Sequence, residues 1–293
     1  MTTPLVLVGL ELAPADSHVL DTALLFAKEL GGSVHAIHAL DLGEHPSEQE
    51  LAKNPAARAM VEQVRERVGH AERELGAISA RYATFGVPLE ASAQRGRPYE
   101  ALQRLAVASK SAGREVVLVV GSGRMQGTLA ERLLGSTTDQ LLRHIECPVV
   151  VVPHGDRSRA HAGGITHSPH GGTWLVAIDG SEPCARALDL AAAWSARMGA
   201  ELSLVHASSD RQAYREMHRF VASSTNPQLA ALADGIAVLE DAPHAAITGQ
   251  ASAVGASLIV IGTHARKGVA RAFLGSVAAS VIRNANVPVL CVR

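Results

Sequence analysis

The chain carries its own internal copy. Lys28–Ala39, read KELGGSVHAIHA, lies over Ala196–Ala207, ARMGAELSLVHA, with Gly31 on Gly199 and His38 on His206. Leu133–Val152, LLGSTTDQLLRHIECPVVVV, lies over Phe273–Val292, FLGSVAASVIRNANVPVLCV. A tandem duplication on this scale requires the strand and helix order to be the same in both copies, which removes most architectures at once. The second copy is shorter, mainly because Ser208–Asp234 replaces a longer helix-rich region. A length of 293 residues, against the roughly 100 to 200 usual for a domain, suits two domains.

Within the first copy, strand-like and helix-like runs alternate. Pro4–Leu10 reads as a strand, and Ala15–Leu30 has helical spacing through Val19, Leu20, Ala23, Leu24 and Ala27 before Gly31. Ser33–Leu40 is a second strand, and the stretch from Gly86 to about Ala93 a third. A helix opens at Pro98, Glu115–Val120 is an apolar strand, Leu129–Ile145 a helix, and Pro148–Val152 a last strand. Such alternation predicts a parallel sheet with helices on both faces. In the polar stretch Ser47–Tyr82, Ala57, Val61, Val64, Val68, Ala71, Leu75, Ile78 and Tyr82 recur at spacings of four and three. That stripe fits a helix laid on the sheet, or a coiled-coil seam. Gly69 and Gly76 weaken a long straight helix and favour the first.

Composition excludes several classes. The 47% of hydrophobic residues and mean hydropathy of +0.12 supply a core of Val, Leu, Ile and Ala. Aromatics at 3% leave few rings for stacking bases, and a net charge of -1 gives no footprint for nucleic acid or an anionic membrane. Cys147, Cys184 and Cys291 are too scattered for a disulfide framework or a zinc site and fit a reducing compartment. The start, MTTPLVLVGLELAPADS, has no basic leader, and no run reaches the length of a membrane span. A cytoplasmic location is expected.

The stretch Leu258–Ala279, LIVIGTHARKGVARAFLGSVAA, carries the chemistry. An apolar run closes at Gly262, and Gly275-Ser276 opens the last helix. Amide groups of a tight loop and of a helix start converge there, and the helix dipole adds about half a positive charge, which suits phosphate.

Other signals have simpler readings. His154, His161, His167 and His170 lie in a Gly/His/Ser-rich linker and match no metal-ligand spacing. Gly121, Gly123 and Gly127 miss the dinucleotide fingerprint by one place, no Walker lysine precedes Ser or Thr, and no GxSxG elbow exists. Cys184 reads as a small buried residue, Ser181 as a helix N-cap, and His38 and His206 as matched core histidines. Asp179 is a carboxylate at the end of an apolar strand and needs a partner, either a backbone N–H or a ligand.

With its first strand ending in Ile178-Asp179-Gly180-Ser181, a turn before Pro243, and GTHARKGVARAFLGSV, the second half resembles a universal stress protein domain. The whole chain is similar to the tandem members of that family. The family pattern is GxxG, nine residues, then Gly and Ser or Thr. Here Gly262 is followed by Ala265 in place of the second glycine, and nine residues later by Gly275-Ser276. The resemblance implies two doubly wound parallel five-stranded sheets of order 3-2-1-4-5, of the adenine nucleotide alpha hydrolase-like type. It also implies ATP, with or without Mg2+, between strands 1 and 4, where neighbouring helices leave the sheet on opposite faces. Ala177, Asp179 and Ala207 would serve the adenosine end. Gly262, His264, Ala265, Arg266, Gly275, Ser276 and Val277 would form the phosphate side.

Domains are thus expected at 1–153 and 173–293, joined by a linker at 154–172. The first has a degenerate site, since Glu11 stands where Asp179 stands and its glycine loop is one residue longer. The Cβ of Ala265 costs on the order of 1 kcal/mol if its backbone is left-handed. The last strands, Pro148–Val152 and Val287–Val292, are apolar edges expected to pair within the chain. The expected function is a stress-linked, ATP-binding regulator or sensor. The alternatives are a nucleotide-free interaction module and a slow ATPase, the latter disfavoured by the lack of a carboxylate cluster for Mg2+.

Overall fold

The computed structural model describes residues 3–13, 16–42, 47, 53–123, 134–153, 169–263 and 274–293. The chain divides into two compact units, 1–116 and 117–293. In the first, β1 (Leu5–Gly9), α1 (Asp16–Glu29), β2 (Ser33–Leu40), α2 (Pro55–Tyr82), β3 (Leu89–Arg95) and α3 (Pro98–Ser111) alternate. The strands lie in the order β3-β2-β1 and are parallel, with Leu5 opposite Ser33 and Val34 opposite Leu89. Leu5 to Val8 are buried in succession, as in a strand covered on both faces, and α1 and α3 both pack on it.

Helix α2 starts at Pro55 behind an Asn54 cap and runs unbroken through Gly69 and Gly76. The helix packs on β3, and its apolar stripe is buried toward the C-terminal end, at Ala71, Leu75 and Tyr82, whereas Met60 stays 40% exposed. The Tyr82 hydroxyl donates to Asp21 Oδ1 at 2.7 Å and ties α2 to α1. Burial, and then that carboxylate, push the Tyr82 phenol up to about 12.

The second unit takes in β4 (Val116–Gly121), whose first residue lies at the boundary, then α4 (Ser136–His144), β5 (Val149–Val152), β6 (Thr173–Ala177), α5 (Glu182–Met198), β7 (Glu201–Ala207), α6 (Arg211–Ala222), α7 (Pro227–Ala230), β8 (Ala237–Leu239), α8 (Pro243–Ala253), β9 (Ala256–Gly262), α9 (Ser276–Asn284) and β10 (Val289–Val292). Its strands lie in the order β4-β5-β10-β9-β6-β7-β8. The segment β8-β7-β6-β9-β10 is the order 3-2-1-4-5 within the second repeat, all parallel.

At β10 the sheet does not stop at five strands. β10 also runs antiparallel to β5, with Val289 opposite Val151 and Leu290 opposite Val150, so the sheet continues through β5 into β4. Each last strand is four buried apolar residues. A bare row of backbone groups beside them would recruit another chain. Among the described residues no helix is long and apolar enough to cross a membrane. His154, His161 and His167 lie outside the described residues, and His170 is exposed.

Candidate functional site

Three strand ends of the second repeat stand side by side. Ala177, the last residue of β6, is opposite Val205 of β7 and Ile261 of β9. One residue on, Ile178 donates its N–H to Val205 O at 2.9 Å. The chain then turns through Gly180, at φ +73°, and a Cβ there would come 3.2 Å from the Met217 methyl of α6.

Asp179 departs from the expectation of a carboxylate at a buried strand end. It lies past the strand, is exposed, and its Oδ1 accepts the Ser181 N–H at 2.9 Å. Solvent and this local turn satisfy it, so its position by itself does not demand a ligand. Ser181 then caps α5, its hydroxyl oxygen accepting the Cys184 N–H at 3.3 Å. Cys184 is buried, and desolvation is the main cause pushing its thiol up to about 11, which makes it inert at neutral pH.

On the β9 side, close packing explains Gly262. A Cβ there would lie 2.9 Å from both the Pro183 carbonyl carbon and the Cys184 nitrogen, so the bare glycine lets the strand end press against the first turn of α5. Thr263 follows as a buried hub. Its N–H donates to Val292 O at 2.9 Å, its hydroxyl reaches the same oxygen at 3.3 Å, and its carbonyl accepts the Gly275 N–H at 3.0 Å. That last bond corrects the expectation that the Gly275 amide serves phosphate, because it already closes the neck of the loop. His264, Ala265 and Arg266 lie outside the described residues.

Among the described residues, the donors left at this neck are those of α9. Gly275 occupies its N-cap without a side-chain cap, and the first helical bond runs from Ala279 N–H to Gly275 O. The amides of Ser276 and Val277 precede that ladder and have no intrahelical acceptor. Ser276 is exposed and Val277 half-buried.

The first repeat has the same neck, Gly135 N–H to Ser122 O at 3.1 Å, with Gly123 pressed so close that a Cβ would come 2.6 Å from Gly135 N. Gly127 lies outside the described residues. The loop after β1 differs. Leu12 holds φ +58° where the second repeat has Gly180, and buried Asp16 accepts the Ala13 N–H at 3.0 Å where the second repeat has Cys184. Sequence reasoning missed Thr263 and Leu12. For Thr263 a signal existed, since a hydroxyl residue follows the strand-ending glycine in both copies, Ser122 and Thr263.

An α/β repeat with three parallel strand ends side by side is thus in place. A model of the universal stress protein family matches residues 4–153 and 173–293, and the chain belongs to that family. Universal stress protein Rv2005c of Mycobacterium tuberculosis is 32% identical over 193 residues, covering 61% of this chain and 62% of that one. Universal stress protein Rv2623 of the same organism is 31% identical over 210 residues, covering 67% and 66%. The chain therefore matches less than two thirds of the length of these relatives. A solved universal stress protein from Archaeoglobus fulgidus DSM 4304 has the same fold, with TM-score 0.70 at 22% identity over 99% of this chain and 96% of that one.

Proposed function

We propose that the chain binds an adenine nucleotide, ATP with or without Mg2+, across the ends of β7, β6 and β9, and acts as a nucleotide-linked regulator or sensor in a stress response. The observation that carries this reading is the bare start of α9. Among the described residues no side chain caps the amides of Ser276 and Val277, which are unpaired within the helix, and the Thr263–Gly275 bond holds them at the strand ends. About half a positive charge there suits a phosphate. His264, Ala265 and Arg266 would continue that side.

At the other end, the backbones of Ala177 and Ala207 stand at the strand ends, and the exposed Asp179 carboxylate would accept a ribose hydroxyl. The reading places one nucleotide per chain, in the domain 173–293. In the domain 1–153, Glu11 and left-handed Leu12 stand where Asp179 and Gly180 stand in the second. A linker at 154–172, intrachain pairing through the last strands and a cytoplasmic location belong to the same reading.

The test is mass spectrometry of the denatured purified chain, followed by calorimetric titration with ATP. Bound adenine nucleotide at one equivalent is expected, and no binding at millimolar ATP would overturn the reading. One observation favours a second reading, a nucleotide-free interaction module: packing alone accounts for both Gly262 and the Gly275 amide. That module would co-purify without nucleotide and bind none on titration.

A further inference from the structure

Both repeats place a histidine near the end of the second strand and aim its Nδ1 at the first residue past the first strand. His206 Nδ1 lies 2.7 Å from Ile178 O, and His38 Nδ1 lies 2.9 Å from Leu10 O. A carbonyl only accepts, so in each case Nδ1 carries the proton. The backbone frame is also repeated, with Ile178 N–H on Val205 O and Leu10 N–H on Ile37 O, both at 2.9 Å.

This bond sits where a ladder rung belongs. In a parallel pair, alternate residues of a strand turn both backbone groups to the same neighbour. Val205 faces β6, because its oxygen accepts from Ile178, so Ala207 faces the same side. The next rung would run from Ala207 N–H to Ile178 O. Among the described residues that rung is missing, and the Ile178 oxygen receives the imidazole instead. Beyond Ile178 the chain turns away through Gly180, so no further β6 residue faces Ala207. Among the described residues its N–H and C=O have no partner on that side and form a donor and an acceptor side by side. Adenine presents the complementary pair at its ring nitrogen and amino group.

We propose that His206 is a positioning residue: by occupying the Ile178 carbonyl it keeps the Ala207 amide from being captured by its own sheet and leaves it for an adenine base. The inference rests on the nucleotide reading for its ligand, but not for its geometry. Leucine at 206 removes the donor and frees Ile178 O to take the Ala207 N–H. Asparagine places an amide N–H near the position of Nδ1 and restores the block. His38 is the internal control, with the same bond in the other repeat.

Four full-length chains are compared, the parent, His206→Leu, His206→Asn and His38→Leu. ATP affinity is measured by calorimetry, and amide exchange at Ala207 by NMR on the ligand-free protein. His206→Leu is expected to weaken ATP by about three- to tenfold, the loss of one neutral hydrogen bond. The same change should slow exchange at Ala207, because that amide gains an acceptor. His206→Asn should behave as the parent in both measurements, and His38→Leu should leave both unchanged even where it lowers the melting temperature. A protected Ala207 amide in the parent, or unchanged exchange in His206→Leu, overturns the inference. So does ATP binding by His206→Leu as tight as the parent's. If the parent binds no ATP while the exchange pattern holds, the nucleotide reading falls and the role of His206 at Ala207 stands.

Discussion

Leu12, at φ +58°, and Gly180, at φ +73°, occupy the same step of the two repeats, the residue at which the chain turns after its first strand. A left-handed backbone costs a residue with a Cβ about 1 to 2 kcal/mol, and glycine little. Gly180→Ala should therefore destabilise the chain by about 1 kcal/mol. The Met217 methyl 3.2 Å from the new Cβ is the flexible end of a side chain and can yield. Leu12→Gly should shift stability by less than about 1 kcal/mol, since relief of strain offsets lost side-chain contact and a looser unfolded chain. Urea denaturation of both variants measures the difference, and a Leu12→Gly loss larger than that of Gly180→Ala would show that the Leu12 side chain matters more than its backbone.

Two other glycines should respond with opposite signs. At Gly262 a Cβ would meet backbone at 2.9 Å, which cannot move without displacing the start of α5, so Gly262→Ala should cost about 1 to 3 kcal/mol. At Gly76, inside α2, nothing lies within 4 Å. Gly76→Ala should stabilise by about 0.5 to 1 kcal/mol through helix propensity. Melting curves of the two variants on either side of the parent are the expected result.

Ser276→Ala tests the phosphate end of the crevice. If the hydroxyl donates to a phosphate oxygen, its loss removes a charge-assisted bond of roughly 1.5 to 3 kcal/mol, about tenfold to a hundredfold in ATP affinity. Ser276 is exposed and its hydroxyl makes no hydrogen bond among the described residues, so the melting temperature should stay at the parent's value. Equal ATP affinity in calorimetry would count against the site.

Asp16 predicts a pH dependence of stability. Burial is the main cause raising its carboxyl above the ordinary value of 3.8, partly offset by backbone donors at Ala13, Glu11 and Leu12. A raised folded value means that the folded state binds the proton more tightly, so this stabilisation is complete below the unfolded value and is lost as pH rises through the folded one. Asp16→Asn keeps an oxygen for the Ala13 N–H and removes the buried charge. It should melt above the parent at pH 7, with the gap narrowing as pH falls toward 4. A gap that is constant with pH would place the effect elsewhere.

The sequence was most legible where local rules suffice. The duplication located the strands, Ser181 ahead of Pro183 marked a helix cap, and the apolar runs of β4 and β9 read as strands buried on both faces. Gly275-Ser276 was found as a helix start, but not the bond that takes the Gly275 amide, since Thr263 reaches it only once the loop has closed. Gly262 was read for a ligand when its nearest demand is Pro183, far off in the chain and adjacent in the fold. Leu12 gave no sign at all, because an ordinary residue in a left-handed turn is set by its surroundings. Where distant segments meet at under 3 Å, composition and periodicity are silent.

The closed neck at Thr263–Gly275, matched by Ser122–Gly135, has a consequence for inheritance. The intervening segments are 264–274 and 123–134, one residue different in length, and both leave and rejoin the framework through the same N–H to carbonyl bond. Insertions and replacements between the two anchor points leave the sheet register untouched. After the duplication, each copy could therefore exchange its segment as a cassette without passing through an unfolded ancestor.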